Sequence, residues 1–136
     1  MKFQNYNFLC LTNLLLLYSI FYFFNNNKKY ILFEYILVSL LPFTIICSQL
    51  FWYNPIRNSV IHKIDAIIAK IVIFSFILYT LIYKFNFSYL ILLNFIFLSF
   101  YYSNNYSSKN WCCNNHLFYH GLLHIFCFIS TFYTFA

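Results

Sequence analysis

The sequence predicts an all-α fold, a single transmembrane bundle of about five helices that covers residues 1–136. Of the 136 residues, 63% are hydrophobic, only 7% are charged and one is glycine. This composition leaves too little polar surface to cover a water-soluble globule. Alternation with the period of a β-strand is absent, and backbone groups in lipid must be satisfied within each segment, which favours helices. We therefore expect a small integral membrane protein.

Five apolar runs predict the helices, at residues 8–24, 30–53, 59–83, 87–102 and 116–135. The longer runs cross a hydrocarbon core of roughly 30 Å at about 1.5 Å per residue. Residues 54–58 form a polar turn, after which Ser59 is the expected N-cap of the third helix. Residues 103–115 are the longest polar segment, and we expect them to form a loop outside the membrane.

Eight Lys and Arg against two Asp and Glu give a net charge of +6. These cations lie mostly between the apolar runs, where they suit contact with anionic head groups. We therefore expect membrane lipids as partners, and no nucleic acid. More of the cations lie on the side of the N-terminus, which favours a cytoplasmic N-terminus. With five crossings, that side holds Lys2, Arg57, Lys63 and Lys109, and the other side holds Lys28, Lys29 and Lys84.

Both acidic residues fall within predicted helices. Asp65 lies near the start of the third helix, and an ionisable residue inside a membrane segment is by default a functional-site hypothesis. The alternative is a buried ion pair with Lys63, Lys70 or Arg57. Glu34 lies at the start of the second helix, where we expect it to reach the interface and the two lysines that precede this helix.

The four histidines are further candidate site residues. His116, His120 and His124 are four residues apart, so they form a stripe on the last helix that drifts by about 40° per step. His62 lies on the third helix, one turn before the aspartate and on the same face. Five crossings place these residues and Ser48 at similar depths on one side of the membrane. We expect a polar pocket that opens on the side of the two polar loops.

Histidines with one carboxylate and one hydroxyl at a common depth have the composition of a catalytic zinc site. Neutral imidazole nitrogens bind Zn²⁺ well, and three protein ligands leave one position for an activated water. Asp65 would orient a ligand or take a proton, and Ser48 would support a developing oxyanion. The candidate metal ligands are His120, His124, His62 and His116.

The same residues resemble a known family, the CREST superfamily of membrane hydrolases, which includes the alkaline ceramidases and the progestin and adiponectin receptors. The resemblance consists of Ser48 late in one helix, a Lys-x-Asp motif that ends at Asp65, and the His-x3-His pair of His120 and His124. It implies a zinc-dependent hydrolase of lipid amide or ester bonds. By this resemblance, the two histidines bind zinc, the aspartate holds or activates the water, and the serine assists.

The chain departs from the family at one ligand. In that family a histidine four residues after the serine completes the zinc triad, and this chain has Trp52 at that position. The family also usually has seven helices, against the five predicted here. The resemblance therefore requires His62 or His116 as the third ligand, or implies a relative that no longer binds the metal productively.

Other functions fit the same residues. Histidines often form hydrogen bonds between helices in membrane bundles, so a non-catalytic scaffold or assembly subunit is one alternative. Two histidines on different helices, His62 with His120 or His124, would ligate a haem, although their position beside an acid near one leaflet favours zinc. The adjacent Cys112 and Cys113 leave three roles open: lipid attachment, a metal contact or no special role.

Overall fold

The computed structural model describes residues 6–136 and contains, in that range, five α-helices and no β-strand. Each helix is long and apolar enough to cross a membrane. The all-α bundle and the multi-pass membrane protein are thereby confirmed. Lys2, counted above among the basic residues, lies outside the described residues. The helices are α1 (Asn7–Asn25), α2 (Leu32–Tyr53), α3 (Val60–Tyr83), α4 (Phe87–Lys109) and α5 (Asn114–Phe135).

Helix α4 is longer than predicted, and the loop expected at residues 103–115 is wrong. The helix continues to Lys109, and only residues 110–113 separate it from Asn114, where α5 begins. The extra turns are polar but contain neither Gly nor Pro, so nothing in them breaks a helix. The hydroxyls of Ser107 and Ser108 donate to carbonyls three residues back, which keeps these polar side chains compatible with the helix.

Helix α3 begins with a reciprocal cap. The hydroxyl of Ser59 accepts the backbone N–H of His62 at 3.1 Å, which confirms the predicted N-cap. In return, Nδ1 of His62 accepts the backbone N–H of Asn58 at 3.0 Å. Asn58 has a φ of 62°, in the left-handed region that asparagine tolerates better than most residues. The cap thus satisfies two backbone donors at the helix start.

Helix α5 begins in the same way. The N-cap is Cys113, whose sulfur accepts the N–H of His116 at 3.4 Å. Nδ1 of His116 accepts the N–H of Cys112 at 3.1 Å, and Cys112 has a φ of 57°. The turns before α3 and α5 therefore share one design, with a histidine at the third helical position that bonds back to the residue before the N-cap.

The helices pack in the spatial order α3, α2, α1, α5, α4, and α3 also packs against α5. Helices α3 and α4 stand at the two ends of this order, although only residues 84–86 join them. Near that connection, Ile77 and Leu81 of α3 pack against the cluster that contains Tyr89 and Leu93 of α4. Farther from it the two helices have no extensive contact, so a gap separates them in the half of the bundle near the α2–α3 and α4–α5 turns.

Polar contacts close the bundle at the end near the α3–α4 connection. Thr80 Oγ1 lies 2.9 Å from Thr134 Oγ1, and the Lys84 ammonium donates to the carbonyl of Thr134. Lys84 Nζ also lies 3.1 Å from Glu34 Oε1, while Glu34 Oε2 accepts the N–H of Ile31 at 2.9 Å. Glu34 therefore pairs with Lys84 and with the start of its own helix. The expected contact with Lys28 and Lys29 is not formed.

Candidate functional site

A cavity of about 360 Å³ lies inside the bundle. All five helices contribute to its wall, with α1 adding Asn13 and Leu16. The sequence-predicted site residues all line this one space, so their expected common depth corresponds to a common cavity. They are Ser48, His62, Asp65, His116, His120 and His124.

The cavity wall is amphipathic. The histidines and the aspartate lie toward the α2–α3 and α4–α5 turns, whereas the wall toward the α3–α4 connection is largely apolar. Two hydroxyls in that part are already paired, because Ser130 lies 2.9 Å from the Tyr89 hydroxyl and Thr131 lies 2.9 Å from the Ser19 hydroxyl. The apolar side chains there include Val72, Ile73, Phe76, Ile77 and Ile96.

Asp65 has no polar partner in the described part of the chain. The side chain is 8% exposed and lines the cavity. The single salt bridge within residues 6–136 joins Lys84 and Glu34, so the ion pairs suggested for Asp65 by the sequence are not formed. No hydrogen bond reaches its carboxyl group either. An unpaired buried carboxylate is costly, and the cavity is the place where a partner would bind.

His62 and His116 have a structural role at the starts of their helices. In each ring Nδ1 accepts a backbone N–H, so the ring is neutral and its proton lies on Nε2. A nitrogen that carries a proton has no lone pair for a metal. Either histidine would therefore have to break its helix cap before Nε2 bound zinc, and the arrangement does not support these two residues as the third ligand.

His120 and His124 are bonded to neighbouring helices. Nδ1 of His120 lies 3.0 Å from the Ser103 hydroxyl of α4, and Nδ1 of His124 lies 2.9 Å from the Thr12 hydroxyl of α1. Thr12 donates its own proton to the Leu9 carbonyl at 3.1 Å, so His124 is the donor and its Nε2 keeps a lone pair. The two rings are 4.9 Å apart, centroid to centroid. His120 and His124, the pair singled out by the His-x3-His motif, therefore lie next to each other.

Trp52 stands beside the histidine stripe. Its ring centroid lies 4.8 Å from that of His120 and 6.0 Å from that of His116. The side chain is 1% exposed, and its indole N–H is enclosed without an acceptor among the described residues. Position 52 is where the resembled family has its remaining zinc-binding histidine. In this chain an indole fills that space.

The side chains as placed do not form a zinc site. Within the described residues, no three His, Cys, Asp or Glu side chains converge closely enough to hold a metal ion. His120 and His124 are the two histidines not engaged in helix caps, whereas a catalytic zinc takes three protein ligands.

Trp111 lines the cavity at the end where an opening is predicted. Its indole N–H donates to the Pro55 carbonyl at 3.1 Å, which joins the two turns. The Arg57 guanidinium lies 5.8 Å from its ring centroid, within the range of a cation–π contact. The ring also contacts those of His62 and His116, at 5.1 and 5.0 Å between centroids. This indole therefore narrows the end of the cavity beside the two turns.

Comparison of the chain with models of protein families, with curated proteins and with solved structures finds no match. What the site can do follows from its own chemistry. A buried carboxyl group without a protein partner pairs with a cationic or hydrogen-bond-donating group, and apolar walls accept a hydrocarbon chain. The cavity is thus suited to a molecule that has both parts.

Proposed function

We propose that this integral membrane protein binds an amphiphile inside its helical bundle. The head group, a protonated amine or another hydrogen-bond donor, pairs with Asp65, and the hydrocarbon part lies along the apolar wall. The isolation of Asp65 carries this proposal, since it is 8% exposed, faces a cavity and has neither an ion pair nor a hydrogen bond within residues 6–136.

The size of the cavity restricts the ligand. A volume of about 360 Å³ is near the lower end for ligand pockets. A head group and the first part of one hydrocarbon chain suit a space of this size. The haem alternative needs His62 as a ligand, and the Nδ1 of this residue already accepts the Asn58 N–H.

Tryptophan fluorescence tests the proposal. Trp52 and Trp111 are the only two tryptophans, and both line the cavity. In a Trp111→Phe background, Trp52 is the only tryptophan, and excitation at the long-wavelength edge of indole absorption avoids the 14 tyrosines. Its burial shields it from lipid that stays outside the bundle. A long-chain primary amine with a brominated chain is expected to quench Trp52, because bromine quenches indole fluorescence on contact.

Asp65→Asn is expected to raise the amine concentration needed for half-maximal quenching by about tenfold or more, because a charge-assisted hydrogen bond is worth roughly 1.5–3 kcal/mol. A brominated alcohol of the same chain length is the matched ligand, and it should lose less affinity than the amine in this variant. Equal quenching by the amine in both proteins would remove Asp65 from the proposal.

The second candidate is the hydrolase that the family resemblance implies, or a relative that has lost catalysis. The contact between Trp52 and His120 favours it, because the family has a zinc-binding histidine at the position of this tryptophan. Asp65, Ser48 and His124 line the same cavity. When bound, zinc would supply an activated water for cleavage of an amide or ester bond. His120 and His124, the two histidines that are not engaged in helix caps, are too few to bind a catalytic zinc. Their number favours a relative that has lost catalysis.

Metal analysis and a hydrolysis assay separate these candidates. Zinc is measured after purification without chelator, and fatty acid release is measured from a lipid amide and a lipid ester. Asp65→Ala and His124→Ala are expected to abolish any activity that the chain has. Zinc near zero with no product would exclude the enzyme while leaving the binding protein intact.

A further inference from the structure

We infer that the gap between α3 and α4 is a lateral entrance through which an amphiphile passes from the bilayer into the cavity. The inference rests on the proposed binding function and adds a route to it. Among consecutive helices within residues 6–136, α3 and α4 are the one pair that a short turn joins but that does not pack along the length of the two helices. The gap lies between them.

Residues on the two sides of the gap lie at matching heights. Lys70 of α3 and Phe100 of α4 are both about 13 residues, or about 20 Å, from the helix ends that meet at the α3–α4 connection. Ala66 and Asn104 form a second level, about 17 residues from those ends. All four residues line the cavity, so the cavity extends from one helix to the other at these two levels.

The exposed part of the cavity wall lies at this gap. Lys70, Phe100 and Asn104 contact the cavity and are also exposed on the outside of the bundle, Phe100 by 42%. The side chains opposite Phe100 and Asn104 include the small Ala66 and Ala69, which leave room between the helices. An opening bounded by these residues leads sideways, toward lipid.

Contacts join the helices or turns in the other two directions. Toward the α2–α3 and α4–α5 turns, Trp111 lines the cavity and is bonded to Pro55. Toward the α3–α4 connection, Thr80 and Thr134 are in hydrogen-bond contact, and the ring of Phe76 lies 5.6 Å from that of Phe135. A ligand that reaches Asp65 without disrupting these contacts therefore arrives between α3 and α4.

A bilayer amphiphile is the occupant that fits this entrance. The cavity holds only a head group and the first part of a chain, so the remaining chain must extend into an apolar medium, which the bilayer provides at this depth. Lys70 has no ion pair within the described residues, and a lysine side chain in this position is long enough to extend toward the membrane surface while its methylenes stay in lipid. A helix from a second copy would instead seal the gap and separate the cavity from lipid.

A blocking substitution tests the entrance in the full chain. The unmodified chain, which keeps the Trp111–Pro55 bond, and the Trp111→Phe protein are each reconstituted in phosphatidylcholine vesicles, and a long-chain primary amine with a brominated chain is then added so that the rate of quenching can be followed. Ala69→Phe places a ring in the gap and is expected to slow quenching of Trp52 at least fivefold. Ser75→Phe is the matched control, because this small residue lies on α3 outside the cavity wall and should leave the rate unchanged.

Phe100→Ala is the opposite test, because it enlarges the gap. Removing the ring widens the gap, so quenching of Trp52 is expected to become at least twofold faster. Circular dichroism shows whether each variant keeps its helices, and Ala66→Phe replaces Ala69→Phe if the latter does not fold.

The outcomes distinguish the two proposals. Quenching that Ala69→Phe and Phe100→Ala leave unchanged overturns the entrance but preserves binding. No quenching in any variant overturns the binding function, and the entrance with it. Cross-linking of two copies through a cysteine introduced at position 70, together with unquenched Trp52, shows a docked second copy and also overturns the entrance.

Discussion

The ring of Trp52 lies 4.8 Å from the ring of His120 at the centre of the candidate site. Trp52 is at the same time a core residue, since it packs in one cluster with Leu9, Phe51 and Leu117. Trp52 therefore supplies buried apolar surface that three helices share.

Trp52→His is expected to create zinc binding. The new imidazole would lie next to His120 and His124 and complete three protein ligands. Zinc content, measured on protein purified without chelator, should rise toward one ion per chain relative to the unmodified protein. The control is Trp52→His combined with His124→Ala, which should return to the starting value. If Trp52→His binds no more zinc than the unmodified chain, the positional similarity to the family has no chemical meaning.

The two acidic residues are expected to respond in opposite ways to neutralisation. Asp65→Asn removes a buried carboxyl group that has no partner, so thermal stability in detergent should stay equal or rise. Glu34→Gln breaks the contact with Lys84 and weakens the bond to the Ile31 N–H, at a cost of about 1–3 kcal/mol. Both melting temperatures are measured in the same detergent. A large loss in Asp65→Asn would mean that its carboxyl group has a protein partner.

The capping role of His62 and His116 is tested by a residue that also accepts a hydrogen bond. Alanine at either position should lower stability by about 1 kcal/mol, as loss of a helix cap does. Glutamine, which serves in capping boxes, should restore most of it. Thermal unfolding measures both. Equal damage from alanine and glutamine, accompanied by lost zinc, would instead identify these histidines as metal ligands.

Cys112 is expected to react slowly with thiol reagents. Burial raises the pKa of the Cys112 thiol, and the thiolate is the reactive form, so little of it is present at neutral pH. In a chain with the other four cysteines changed to serine, alkylation by a maleimide should be slower than for a free thiol and should keep rising above pH 9. Unfolding in detergent should remove the difference. A rate at neutral pH equal to that of a free thiol would show that Cys112 is not shielded.

Composition and periodicity were sufficient for the fold. Five apolar runs gave five helices, because a lipid environment leaves the backbone few alternatives. They did not predict where α4 ends. Ser103 and the polar residues after it include no helix breaker, so the helix continues through them to Lys109. The N-cap at Ser59 was predictable because its hydrogen bond is local.

The gathering of the site residues followed from counting crossings, but their hydrogen bonds did not. The partners of His120 and His124 are Ser103 and Thr12, which lie on helices whose rotation an almost uniformly apolar sequence leaves undetermined. The capping histidines could have been recognised locally. His62 is three residues after the N-cap Ser59, which is the spacing of a capping box.

The matching turns before α3 and α5 divide the molecule into units. Helices α2 and α3 form one antiparallel hairpin and α4 and α5 another, each with a self-contained cap at its turn. Helix α1 packs against α2 and α5 and so fastens the hairpins together on one side. On the other side, the Trp111–Pro55 bond ties the two hairpins together at their turns, and the Thr80–Thr134 contact ties them at the opposite end. The α3–α4 gap is therefore a window that is held at both ends, so the packing that keeps it open does not depend on direct contact between α3 and α4 along its middle.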